Sequence, residues 1–280
     1  MDELWSAPAK VNLTLRVGRP RSDGYHPLDS LVQTIDLSDR LGLRDAGEDE
    51  LRVEGADLPT DGDNLVWKAV ESLGVEGRSP VEVTLEKRIP FGAGLGGGSS
   101  DAAAVIAALG DRYGIDEPSR AAAALRTGAD VTFFLTGGAA RMEGIGERIT
   151  RLDPLEGFVV VVVAPEYRLS TPDVYRMWDR LEYPTGATVD NRRLPPALRE
   201  FEVINDLAPA AVTVEPGLGD LLADLSERWD RPVMMSGSGS AVFACFADLD
   251  EAADAASAAV DAGETHACGL TARGVHRLDR

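Results

Sequence analysis

Pro90-Phe91-Gly92-Ala93-Gly94-Leu95-Gly96-Gly97-Gly98-Ser99-Ser100-Asp101-Ala102-Ala103 is the most informative stretch of the chain. Five of the seven residues from Gly92 to Gly98 are glycine, so backbone N–H groups can close on an anion unhindered by side chains. The loop runs straight into an alanine-rich helix, whose first N–H groups and positive dipole end suit a phosphate. Ser99 and Ser100 add hydroxyls that suit a phosphate or a metal ion. Gly92, Gly94 and Gly97 satisfy the dinucleotide pattern G-x-G-x-x-G. That fingerprint follows a buried parallel strand, whereas residues 81–87 alternate, with Glu82 and Glu86 outward. No Gly-Lys-Ser/Thr closes the loop as in a Walker A sequence, and no His-Arg-Asp or Asp-Phe-Gly follows as in protein kinases. A mere flexible hinge fits poorly between a strand and a strong helix.

Outward from the loop the chain reads as mixed α and β. Residues 9–17 alternate, Val11, Leu13, Leu15 and Val17 against Lys10, Asn12, Thr14 and Arg16, which predicts a half-buried strand. Further strands are expected at 28–37, 51–54, 81–87, 138–143, 148–152, 158–164 and about 265–273, with two more in 232–246. Helices are expected at 64–73, 100–109 (stopped by Gly110), 118–126, 172–182, 195–203, 206–213, 217–229 and 249–261. The irregular succession of strands and helices predicts an α+β fold with mainly antiparallel sheets. A composition shift at Asp153-Pro154 places a boundary there, giving halves 1–154 and 155–280.

The 280 residues carry 47 Asp and Glu against 28 Lys and Arg, a formal charge of −19. That excludes a nucleic-acid binder, which needs a basic face, and argues equally against an anionic membrane surface. An anionic substrate would need local attraction against the global field. Only Lys10, Lys68 and Lys87 are lysines; the remaining 25 cations are arginines. Cys245 and Cys268 sit in apolar surroundings without metal-ligand spacing, as core thiols of a reducing cytosol would. The start of the chain lacks a signal-peptide pattern, and an apolar run such as 158–164 is too short to span a bilayer. A cytoplasmic enzyme is the expectation; the oligomeric state is not legible.

Pro-x-Gly-Ala-Gly-Leu-Gly-Gly-Gly-Ser-Ser resembles the phosphate loop of the GHMP kinases, the family of galactokinase and of homoserine, mevalonate and phosphomevalonate kinases. Two further family segments follow the right order: Ala7-Pro8-Ala9-Lys10-Val11-Asn12-Leu13, and Ser236-Gly237-Ser238-Gly239-Ser240-Ala241-Val242-Phe243. Ser22-Asp23-Gly24-Tyr25-His26-Pro27-Leu28, Gly128-Ala129-Asp130-Val131-Thr132-Phe133-Phe134 and Asn205-Asp206-Leu207 resemble the branch acting on 4-diphosphocytidyl-2-C-methyl-D-erythritol in non-mevalonate isoprenoid synthesis. The chain departs from that branch at Thr132, where proline is usual, and at Ala208, where glutamate is usual.

The resemblance implies a two-domain GHMP kinase fold, with a ribosomal S5-domain-2-like N-terminal half and a ferredoxin-like C-terminal half. It implies ATP and Mg2+ as cofactors, a small cytidine diphosphate substrate, and transfer of a phosphoryl group to its 2-hydroxyl. Lys10 and Asp130 are then the catalytic pair, the ammonium stabilising developing charge and the carboxylate taking the hydroxyl proton. Alone, Lys10 reads as a solvated strand lysine and Asp130 as a helix N-cap. Pro90, Phe91, Gly92, Ala93, Gly94, Leu95, Gly96, Gly97, Gly98, Ser99 and Ser100 would hold ATP, with Ser100 a candidate metal ligand. Lys87 or Arg88 would touch phosphate or adenine, or else merely end a strand, and Asn64 and Trp67 would edge the adenine. Asn12, Tyr25, His26, Ser238 and Gly239 would hold the acceptor, Tyr25 by stacking and His26 by a hydrogen bond. Tyr25 and His26 also read as plain turn residues. Another acceptor, such as mevalonate or homoserine, or a nucleotide-binding protein without turnover, are the alternative readings.

Overall fold

The computed structural model describes residues 3–279. The chain opens with strand β1 (Glu3–Asn12), a short β2 (Arg16–Val17) and an 18-residue β3 (Leu28–Asp45). Next come β4 (Glu50–Glu54), helix α1 (Leu65–Leu73), β5 (Val81–Glu86), α2 (Gly97–Tyr113), α3 (Glu117–Thr127), α4 (Val131–Thr136), β6 (Ala139–Gly144) and β7 (Arg148–Arg151). These strands form one sheet around β3, which pairs antiparallel with β1, β2, β5 and β6; β4 joins β5 in parallel.

Residues 9–17 are not one half-buried strand. β1 ends at Asn12, and both of its faces are covered: Ala7, Ala9 and Val11 are sealed in the core, and Lys10 and Asn12 are buried too. The polar face lies under the glycine loop, so alternation read in isolation mistook a covered polar face for a wet one. After Asn12 the chain crosses to residues 204–206, where Leu15 N–H donates to Ile204 O and Asp206 N–H to Leu15 O.

Helix α2 runs through Gly110 and ends at Gly114, whose left-handed backbone (φ 64°) closes it. Gly110 does not stop the helix; it makes room for Arg120, whose Nε lies 2.3 Å from where a Cβ would stand. Residues 100–110 are buried on every side, as a central helix requires, against the sheet and α1, α3 and α4. The helix α4 was not expected, because six residues are too few to show a period.

The second half contains β8 (Val159–Ala164), α5 (Thr171–Arg180), α6 (Ala208–Val214), α7 (Gly217–Arg228), β9 (Met234–Met235), β10 (Val242–Phe246), α8 (Leu249–Ser257), β11 (Glu264–Cys268) and β12 (His276–Arg277). The expected helix at 195–203 is only a 3-10 turn, Pro196–Leu198, since tandem prolines cannot supply helix N–H donors. The expected helix at 249–261 ends at Ser257 and is followed by a 3-10 turn, Val260–Ala262. Strands β11, β8, β10 and β9 form an antiparallel sheet in that order. The apolar run around β8 serves two cores. Val160, Val162 and Ala164 pack with Ala9, Val11 and Ile35 of the first half, and Val161 and Val163 pack with Trp178 and Leu225.

A division at residue 154 separates the strands of the two sheets except β12, which returns to pair with β1 (Trp5 opposite Arg277), while Leu278 N–H donates to Leu4 O. The expected last strand, 265–273, ends at Cys268, and β12 lies beyond it on the other sheet. Cys245 and Cys268 are buried and unpaired, and burial pushes both thiols up to about 12. Among the described residues no helix is long and apolar enough to cross a membrane.

Candidate active site

β1 delivers Lys10 beneath the glycine loop. A shift in register with β3 after Pro8 precedes it, and Lys10 N–H donates to Leu95 O at 2.9 Å. The Lys10 ammonium donates to Asn12 Oδ1 and, at 2.9 Å, to Gly94 O, and stands 3.7 Å from Asp130 Oδ2. Burial lowers the Lys10 pKa below its usual value, and the Asp130 charge opposes that. Asp130 sits at the N-cap of α4, yet its carboxylate caps nothing there. Its side chain keeps about a third of its surface open (32%), so an oxygen is free to take a proton.

The glycine loop is pressed between Lys10 and the Ser236–Ala241 turn. Gly94 has φ +79°, and a Cβ there would stand 2.3 Å from Ser236 O; at Gly96, with φ +75°, it would stand 2.6 Å from a Phe134 ring atom. Ser236 Oγ donates to Gly94 O at 3.0 Å, and Ala241 N–H to Ala93 O at 2.9 Å. Gly96 begins α2 without a side-chain cap. Ser100 N–H turns back to Gly96 O, whereas the N–H groups of Gly97, Gly98 and Ser99 have no acceptor among the described residues. A 17-residue helix thus presents open donors one loop away from the Lys10–Asp130 pair. This is the geometry for stabilising a transferring phosphoryl group.

Comparison with known proteins agrees with that chemistry. Residues 64–138 match the GHMP kinases N terminal domain, and residues 190–265 match the GHMP kinases C terminal domain. A 4-diphosphocytidyl-2-C-methyl-D-erythritol kinase of Anaeromyxobacter is 42% identical over 265 residues, covering 89% of this chain and 84% of its own length. The same-named kinase of Pelotomaculum thermopropionicum is 39% identical, covering 90% and 91%. The crystal structure of a 4-(cytidine 5'-diphospho)-2C-methyl-D-erythritol kinase superposes with a TM-score of 0.79 at 38% identity, covering 96% of this chain and 99% of that one. The chain belongs to this family of GHMP kinases. Its α+β architecture is the GHMP kinase fold.

In this GHMP kinase the surroundings of the expected site residues differ from one to the next. Asn12 Oδ1 is taken by Lys10 and its Nδ2 donates to Ser30 Oγ at 2.8 Å, which leaves one amide hydrogen free. Asn12 therefore fixes Lys10 first. Ser238 Oγ is paired with Thr171 Oγ1 at 2.7 Å, and Gly239 N–H donates to Ser236 O. The N–H groups of Gly237 and Ser238 have no acceptor among the described residues. Phe91 is half exposed, with the Arg168 guanidinium 5.2 Å from its ring centre.

Lys87 corrects two expectations at once. It does not end a strand in water, and its ammonium is held by carboxylates and not left open. Its ammonium is buried between Asp39 and Asp101, 2.7 Å from Asp101 Oδ2, directly beneath Gly97. Burial works against the Lys87 charge, but Asp101 and Asp39 outweigh it and raise the pKa. Burial also pushes Asp101 up to about 8, with Lys87 opposing. Asp39 further accepts the N–H groups of Arg88 and Ile89, so the triad ties the entry of the loop to the start of α2. Arg88 itself is exposed and pairs with Glu86. Asn64 caps α1 through Val66 N–H and holds Pro59 O, and Trp67 Nε1 donates to Thr60 O; both are tied to the 59–64 turn.

Tyr25 is exposed (62%) and has no ring partner among the described residues. His26 is largely covered: its Nε2 lies 2.9 Å from Asp179 Oδ1, and its ring lies 5.0 Å from that of Tyr175 and edge-on to Trp178. Tyr175 is the site residue that sequence reading missed. Burial first, then the Asp130 charge, pushes its hydroxyl up to about 12. Its signal was helical spacing: Tyr175, Trp178 and Asp179 are i, i+3 and i+4 on α5.

Proposed function

We propose that the chain transfers the γ-phosphoryl group of ATP to the 2-hydroxyl of 4-diphosphocytidyl-2-C-methyl-D-erythritol, giving the 2-phosphate and ADP. The observation that carries the reading is the Lys10–Asp130 pair, 3.7 Å apart, beside the open N-terminus of α2. Asp130 takes the hydroxyl proton, the hydroxyl oxygen bonds to the γ-phosphorus, and the bond to the bridging oxygen breaks to release ADP. Phosphoryl transfer needs positioning and charge stabilisation more than covalent help, and Lys10 with the free N–H groups supplies both. His26 supports the cytidyl assignment: its backbone N–H has no acceptor among the described residues and its Nδ1 makes no hydrogen bond there. Exposed Tyr25 and half-covered Tyr175 are the aromatic faces against which a base would stack.

Magnesium fits the residues present. Among the described residues no three His, Cys, Asp or Glu side chains gather to cage an ion, and Mg2+ with a nucleotide is held mainly by phosphates and water. Ser100 Oγ, buried at the start of α2 without a partner, is the protein oxygen that suits it. Bound there, the ion would neutralise phosphate charge.

A coupled assay of ADP release, with the cytidyl substrate beside mevalonate and homoserine, tests the proposal. ADP release with the cytidyl substrate alone is expected. Release with another acceptor and not with this one would overturn it.

A further inference from the structure

His26 lies in the candidate substrate site, yet the residue that controls its chemistry sits 153 positions away. Asp179 Oδ1 is 2.9 Å from His26 Nε2. An ionised carboxylate only accepts hydrogen bonds, so the proton between them belongs to Nε2. In the neutral ring Nδ1 is then a bare acceptor. Nδ1 has no partner among the described residues and is not sealed from solvent, although the side chain as a whole is only 10% exposed. The ring cannot turn freely to present its other nitrogen, because Tyr175 and Trp178 flank it.

We propose that Asp179 is a positioning residue that fixes the tautomer of His26, and so makes the site select a base with an amino group over one with a carbonyl at the same position. The proposal rests on the reading of His26 as the base contact. Cytosine carries an N4 amino donor, which an unprotonated Nδ1 accepts; uracil carries an O4 acceptor there, which it repels. With Asn at position 179 the partner can donate as well as accept. The proton can then move to Nδ1, and the site loses its preference.

The test compares kcat/KM for the cytidine and uridine diphosphate forms of the acceptor. The native chain should prefer the cytidine form strongly. Asp179→Asn should lower that ratio by about tenfold or more, through KM for the acceptor, with KM for ATP unchanged. An equal fall on both substrates, leaving the ratio intact, would overturn the role of Asp179 alone. A native chain that uses both bases equally would overturn the reading of His26 beneath it. Nitrogen-15 NMR of the native chain provides a check that needs no variant: the His26 proton should reside on Nε2, and a proton on Nδ1 in the neutral ring would sink the proposal.

Discussion

Lys10 shows how one side chain can be over-determined. Its ammonium meets Asn12, Gly94 O and Asp130 in a buried setting, so it has little freedom to be anywhere else. Lys10→Met and Asp130→Asn should each lower kcat by about 100-fold or more while ATP still binds, as single-turnover and equilibrium-binding measurements would separate. The pH profile offers a finer check. Burial lowers the Lys10 pKa and Asp130 counters it, so activity that needs the ammonium should fall on the alkaline side below pH 10.5. In Asp130→Asn the counterweight is gone, and the residual activity should fall at still lower pH. Thr132 leaves its hydroxyl buried without a partner. Thr132→Val should therefore raise stability by about 1 kcal/mol in urea unfolding. That Lys10 and Asp130 come together was legible because each lies in a compact motif. The scarcity of lysine was a hint as well, since Lys10 and Lys87 are both buried. The work of Lys87 was not legible, because its partner Asp39 lies 48 residues away on another strand.

At the scale of elements, the phosphate loop is held from below as well as above. The buried triad contains two carboxylates and one ammonium, and burial pushes Asp101 up to about 8. The folded chain therefore keeps a proton that the unfolded chain releases near pH 3.8, the ordinary aspartate value. Stability from this group is complete below about pH 4 and is lost as pH rises towards about 8. Asp101→Asn does not titrate, so its stability relative to the native chain should improve steadily from pH 5 to pH 8 in denaturant unfolding. A constant difference across that range would contradict the assignment. Local signals did well for the loop, for α2 and for the apolar β8, whose patterns are long or repetitive. They failed where tertiary packing decides. Gly110 is a stop signal in isolation and a clearance for Arg120 in the fold, and α5 meets the 21–26 turn only because the halves fold together.

The whole molecule carries −19, and its two substrates as proposed are polyanions. Attraction is local, from open N–H groups and Lys10, while the long-range field repels. Added salt screens the repulsion more than the buried contacts. KM for ATP should thus fall between very low ionic strength and about 0.15 M, the reverse of the usual response of a basic nucleotide site; a steady rise would show that local charge dominates encounter. Fold class and family were legible at this scale from three ordered motifs, but the return of β12 to the first sheet was not, since two residues carry no period. That return has a mechanical meaning. The second half leaves the first sheet after β7 and rejoins it at β12, so it is anchored at both ends to one slab. With the Leu15 crossing to residues 204–206 these anchors make three well-separated fastenings, so the second half is bolted to the slab like a plate and does not hang from a single flexible strap.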